Sequence, residues 1–193
     1  MPDPLTTLPA GLPVPPDDGA ARHLPGAAVP EIALPATGGG RVSLARAARP
    51  TVVFAFPWAG RPGEPLPADD WDAIPGARGC TAEACGFRDV HAELRGLGLE
   101  VVGLSAQSPA RQAEIAERLA LPFPLLSDER RELAGAMGLP TLAAGEAVLL
   151  RRLTMLLRSG TVERVWYPVF PPDRHAERVL ADLLSGISAI PGR

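Results

Sequence analysis

Arg78-Gly79-Cys80-Thr81-Ala82-Glu83-Ala84-Cys85-Gly86-Phe87-Arg88-Asp89 holds both cysteines of this 193-residue chain and lies where an irregular passage gives way to a helix. Downstream, Phe87, Val90, Leu94 and Leu97 recur at spacings of three and four, so the apolar stripe predicts one amphipathic helix over 81–97 with Cys80 at its start. A thiol at a helix N-terminus faces unpaired amide groups and the positive end of the helix dipole, which lower its pKa and raise its reactive fraction. Cys80 is therefore the candidate nucleophile. Cys85 follows five residues later; in an unbroken helix that is about 140° round the axis and roughly 7.5 Å along it. A disulfide needs Cα atoms within about 7 Å and Cβ vectors that face each other. The pair closes only when the first turn or so of the helix unwinds, so a redox cycle built on it has two conformations. Spacing alone leaves a second reading open, because cysteines are also buried as small hydrophobes. Thr81 and Glu83 are equally open: they are first-turn residues favoured by capping and by the dipole, or groups that line the thiol.

Upstream of this stretch, 51–56 (Thr-Val-Val-Phe-Ala-Phe) is a continuous β-branched and aromatic run stopped by Pro57, as in a central strand buried on both faces. Residues 57–79 are rich in proline and glycine and contain Trp58 and Trp71; a loop of this length inside a domain is often a lid or a binding wall. Val29 and Leu44 bound two short strand-like pieces around Gly38-Gly39-Gly40, a predicted hairpin. Residues 1–26, dense in proline, form an arm without a core of their own, either loose or wrapped over the body. Downstream, 99–105 is a second buried strand, and Ser108-Pro109 opens a helix that runs to about Ala120. Leu125-Leu126 is a short strand, after which Ser127 or Asp128 caps a helix closed by Gly138. Strands over 148–158 and 162–167 are joined at Ser159-Gly160, and Asp173 caps a last helix that turns Val179, Leu180, Leu183 and Leu184 inward. Strands alternating with helices call for an α/β fold, a mixed central sheet flanked by helices.

Composition limits the function. An apolar fraction of 46% and a charged fraction of 21% belong to a globular chain, and a net charge of -3 gives no reason to expect nucleic acid as a partner. The absence of a long apolar run or a leader-like N-terminus points to a cytoplasmic protein away from the membrane. Two cysteines are too few for a secreted disulfide scaffold, and with only His23, His91 and His175 to add, no metal site is expected. His91 and His175 lie on predicted helices among charged neighbours and read as surface residues. The run Arg130-Arg131-Glu132 reads as a solvated helix face.

The segment 79–89 closely resembles the active-site segment of the bacterioferritin comigratory protein, or Q-type, peroxiredoxins of the AhpC-TSA redoxin family. The similarity extends over roughly 27–185: the hairpin, the strand ending in Pro57, Leu125-Leu126-Ser127-Asp128, and Arg152-Leu153-Thr154-Met155 all have counterparts. The resemblance implies a thioredoxin-like fold over 27–186, followed by a tail at 187–193. It also implies a thiol peroxidase in which Cys80 is peroxidatic, Cys85 is resolving and Arg152 is the active-site arginine. Pro57, Trp58, Gly79, Thr81 and Glu83 would line the substrate site. Hydrogen peroxide or an organic hydroperoxide would be the substrate and a thioredoxin-like or low-molecular-weight thiol the reductant, with no cofactor, in a monomer or homodimer. Two departures stand out. About sixteen extra residues separate Pro57 from Cys80, and Ala77 stands where the family has a threonine or serine hydroxyl. Either another donor takes the place of that hydroxyl, or the fold serves a bulkier or biosynthetic substrate selected by an apolar wall at 58–79, or the chain is a binding protein with inert cysteines.

Overall fold

Gly38, Gly39 and Gly40 all have positive φ, between +78° and +103°, where side chains are strained, and the chain pairs on either side of them as β1 (Ala33–Pro35) and β2 (Arg41–Ser43). This is the expected N-terminal hairpin. It appears in a computed structural model that describes residues 4–188. The run after it is β3 (Thr51–Ala55), buried at every position. Next come α1 (Cys80–Asp89), α2 (His91–Gly96), β4 (Glu100–Ser105), α3 (Pro109–Arg118), β5 (Leu125–Ser127) and α4 (Glu132–Met137). The chain closes with β6 (Thr141–Ala144), β7 (Ala147–Leu150), β8 (Leu153–Arg158), β9 (Thr161–Trp166) and α5 (His175–Ser188). The central sheet has the order β5-β4-β3-β8-β9, parallel across β5, β4 and β3 and antiparallel across β8 and β9.

Because alternate residues of a strand face opposite ways, β3 feeds two cores. Val52 and Phe54, with Phe56 just beyond, face the cysteine side, where α1, α2, α3 and α5 contribute Phe87, Leu94, Ile115 and Val179. The Phe54 and Phe87 rings stack at 4.4 Å. Val53 and Ala55 face the other side, covered by Leu133, Ala134 and Met137 of α4 and by Ala21 and Leu24. The arm is therefore wrapped rather than loose, and the His23 Nε2 lies 2.9 Å from the Met137 carbonyl oxygen. The insertion has a core of its own: Trp71, 2% exposed, and Ala77 pack with Leu142, Ala144 and Leu149 of the β6–β7 hairpin.

Several boundaries differ from the sequence expectation. The helix expected over 81–97 breaks at Val90 (φ -97°, ψ 9°) into α1 and α2. Val90, Leu94 and Leu97 still face the same core across the break, so periodicity does not reveal it. The single strand expected at 148–158 is two, β7 and β8, with Arg151 and Arg152 between them, and β7 pairs with β6, which the sequence did not announce. Leu149, Leu150 and Leu153 are all buried, so the apolar run hides the border. At α4, Asp128 is the capping side chain, its carboxylate accepting from the N–H groups of Leu133 (3.2 Å) and Ala134 (2.8 Å), while the Ser127 hydroxyl donates to the Gln107 carbonyl at 2.7 Å. Asp173 does not cap α5; it sits in a 3-10 turn (Pro172–Arg174) that runs directly into it. Of the expected tail at 187–193, the last five residues lie outside the described ones, and α5 extends through Ser188.

Candidate active site

Cys80 is the first residue of α1 and is 3% exposed. Gly79 before it has φ +103°, which lets the chain turn sharply into the helix; a Cβ there would run into Pro172 and Leu8. Three groups converge on the Cys80 sulfur. Arg152 Nη2 donates from 3.2 Å, the Trp58 backbone N–H donates from 3.4 Å, and the thiol itself points to the Ala77 carbonyl at 3.5 Å. Among the described residues no side-chain hydroxyl hydrogen-bonds this sulfur; its donors are a backbone amide and a guanidinium.

Arg152 reaches the sulfur from the connection between β7 and β8, and it is 3% exposed rather than a surface partner of Arg151. A buried guanidinium needs a counter-charge and acceptors, because an unpaired charge in the interior is strongly destabilising. Here Nη1 pairs with Glu83 Oε2, and Nη2 also donates to the carbonyls of Arg78 (3.0 Å), Ala77 (3.4 Å) and Gly76 (3.4 Å). The insertion thus supplies three carbonyls that hold the arginine. Glu83 is fully buried, one helical turn beyond Cys80, and acts as the counter-ion and orienting group of Arg152. Burial pushes its carboxyl up to about 7, against the pull of Arg152. The same burial pushes the Cys80 thiol up, opposed by the Arg152 charge and the Trp58 N–H, so the environment that the helix start was expected to provide is overtaken by desolvation in this closed state. Thr81 is buried in the first turn, and Pro57 is buried where β3 ends.

Trp58 contributes to the site through its amide. Its indole packs with the insertion core and lies 5.8 Å under the Arg111 guanidinium, and Trp71 is in that same core, so the two tryptophans do not wall a pocket over Cys80. What fixes the Trp58 amide is Gln107, which the sequence reading missed: Gln107 Oε1 accepts from the Ala59 N–H at 2.9 Å and its Nε2 donates to the Ala59 carbonyl at 3.1 Å. Gln107 and Gln112 are buried and tied to Ser105 at the end of β4. The available signal was a cluster of polar residues directly after a strand buried on both faces.

Cys85 is 8% exposed, on the same helix, and borders a groove of about 540 Å³ lined by Thr6, Ala82, Arg88, Arg118 and Glu177 among others. Neither cysteine is in a disulfide. The first turn of α1 is closed by the Glu83 N–H to Gly79 carbonyl bond at 2.9 Å, so the helix is intact between the sulfurs. His175, expected on the surface, is 4% exposed: its Nε2 is 2.8 Å from Thr154 Oγ1 and its ring meets Phe87 edge-on. Burial pushes His175 down to about 3, with Arg152 and Arg178 adding to the effect, so it is neutral at ordinary pH. Among the described residues no group of three His, Cys, Asp or Glu is placed to hold a metal, and no helix is long and apolar enough to cross a membrane.

Comparison with known proteins identifies the family and the fold. The family model described as AhpC/TSA matches residues 73–165, starting inside the insertion. Peroxiredoxin Q from Gentiana triflora, a chloroplastic protein, is 31% identical over 188 residues, covering 94% of this chain and 78% of the relative. The chain belongs to the peroxiredoxin Q family. The Sedum lineare peroxiredoxin Q, also chloroplastic, is 32% identical over 167 residues, 86% of this chain and 80% of the relative. Among solved structures, peroxidoxin BcpB from Mycobacterium tuberculosis superposes with a TM-score of 0.67 at 28% identity, covering 88% of this chain and 100% of that one. A peroxiredoxin Q mutant from Xanthomonas campestris gives 0.66 at 25% identity, over 85% and 98%. The fold is that of the thioredoxin-like peroxiredoxins, and thiol-dependent peroxide reduction is the activity that goes with the family.

Proposed function

We propose that Cys80 is the peroxidatic nucleophile and Cys85 the resolving thiol of this peroxidase. The observation that carries the reading is the placement of Arg152 Nη2 3.2 Å from the Cys80 sulfur, with the Trp58 N–H at 3.4 Å. A guanidinium and an amide aimed at one sulfur favour its thiolate and are also placed to polarise a peroxide oxygen, and fixed donors of this kind act at the charge that develops in the transition state. The Cys80 thiolate attacks one peroxide oxygen and the O–O bond breaks. Sulfur is oxidised to the sulfenic acid, and the departing hydroxide or alkoxide takes a proton and leaves as water or an alcohol. α1 then unwinds over its first turn, the Cys85 sulfur attacks the sulfenic sulfur, and water leaves as the disulfide forms. A thioredoxin-like dithiol, or a small thiol used twice, returns both cysteines to thiols by exchange.

Stopped-flow mixing with hydrogen peroxide and with an alkyl hydroperoxide tests the assignment. Saturable consumption is expected, lost in Cys80→Ser; consumption at the same rate in that variant would rule Cys80 out as the nucleophile.

A further inference from the structure

Before the chain enters its core at Ala21 and Leu24, residues 5–18 run as a strap across the cysteine helix. Leu5 packs on Gly60, and Thr6 borders the groove at Cys85. Leu8 sits with Pro172 in the space that a Cβ on Gly79 would need, immediately before Cys80. Leu12 and Pro13 border a small cavity that Arg152 also lines, and Pro15 packs on Gly76. The strap therefore covers both ends of the segment that carries the two sulfurs. Its far end is latched by Asp18, whose carboxylate accepts from the Tyr167 hydroxyl (2.8 Å), Arg151 Nη1 (2.7 Å) and the Ala20 N–H (3.0 Å).

We propose that this strap, through Leu8 and the Asp18 latch, sets the rate at which oxidised Cys80 reaches Cys85. The inference rests on the disulfide cycle proposed above. Unwinding the start of α1 carries Gly79 and Cys80 out from under Leu8, so the strap contacts break before the sulfurs meet, and their free energy adds to the barrier of that step. The attack on peroxide needs only Arg152 and the Trp58 N–H, neither of which belongs to the strap. While the strap is closed the sulfenic acid waits, and a second peroxide competes with Cys85: one oxygen passes to sulfur, giving the sulfinic acid, and the peroxide leaves as water or an alcohol. The strap thereby also sets the peroxide level at which the protein is lost to irreversible oxidation.

The test follows tryptophan fluorescence in the full chain and in Leu8→Ala and Asp18→Ala, separating a peroxide-dependent first phase from a peroxide-independent second phase. In Leu8→Ala the first phase is expected to keep its rate while the second quickens about tenfold, the scale of losing a half-buried leucine contact that the open state lacks. Asp18→Ala is expected to act the same way with a smaller factor. In both variants, backbone amides over 80–85 exchange hydrogen faster, and the peroxide needed to add two oxygens to half of the chains rises by the factor seen in the second phase. An unchanged second phase in both variants, with a disulfide forming in the wild type, overturns the strap alone. Absence of any disulfide in the wild type overturns the cycle on which it rests.

Discussion

Cys80 and Cys85 lie on one helix of ten residues and are 3% and 8% exposed, so burial hardly separates them. The difference is in the cations. Arg152 is itself buried and held by Glu83 and three carbonyls, and the same Nη2 that meets the carbonyls also donates to the Cys80 sulfur. Near Cys85, Arg88 is partly solvated and turned to Asp89 (2.9 Å) and the Leu119 carbonyl (3.0 Å). A charge held in a low-dielectric interior acts on its neighbour far more strongly than one shared with water. On the proposed reading, what sets Cys80 apart from Cys85 is therefore the buried guanidinium at its sulfur rather than its position on the helix.

The contrast can be broken in steps. Cys80→Ser is expected to reduce peroxide consumption to the background rate, measured with hydrogen peroxide under saturating reductant. Arg152→Met comes next: removing one preorganised donor costs about 10²–10³ in kcat/KM. Because Arg152 opposes the upward push of burial on Cys80, its loss also moves the rising limb of the pH–rate profile to higher pH. A limb that stays in place would show that Arg152 does not act on the sulfur. Cys85→Ser leaves the first oxidation within about a factor of two, as expected for a distinct step. It prevents the disulfide, so sulfenic acid accumulates and passes on to sulfinic acid, read by intact mass.

The smallest effect on activity belongs to His175, which packs edge-on against Phe87 and hydrogen-bonds Thr154. Its neutral form is held in the fold down to about 3, whereas the unfolded chain protonates it near 6.5. The unfolded state binds the extra proton in this window, so stability is full above about 6.5 and falls as pH drops toward 3, by a few kcal/mol. In urea titrations at pH 7, 5 and 4, His175→Gln is expected to lose less stability on acidification than the wild type, with activity at pH 7 little changed. Equal acid sensitivity would remove His175 from this role.

Local chemistry made part of this legible in the sequence. The 51–56 run, the Gly38-Gly39-Gly40 turn and Ser108-Pro109 each carry their own signal, and the structure has β3, the hairpin and α3 there, with Ser108 Oγ accepting from the Arg111 N–H at 3.3 Å. The two cysteines and their place at a helix start were equally readable. Whatever depended on contacts distant in sequence was hidden. Arg151 and Arg152 are adjacent and identical, yet one pairs with Asp18 at the surface and the other is buried on Cys80, because β7 ends between sheet and insertion with a side chain facing each way. His175 has charged sequence neighbours, but the 3-10 turn before it points its ring onto Phe87 and Thr154. The tryptophans of the insertion could be read as a wall or as a core, and only the β6–β7 hairpin, itself unannounced, shows them to be a core.

The central claim is that one equivalent of peroxide makes a bond between the two sulfurs of α1. Intact-protein mass spectrometry before and after that single equivalent, with peptide mapping, tests it directly. The expected result is the loss of two hydrogens, mapped to a Cys80–Cys85 disulfide and restored by a dithiol. A stable gain of one oxygen on Cys80 with Cys85 still alkylatable, or no change in mass at all, would contradict it.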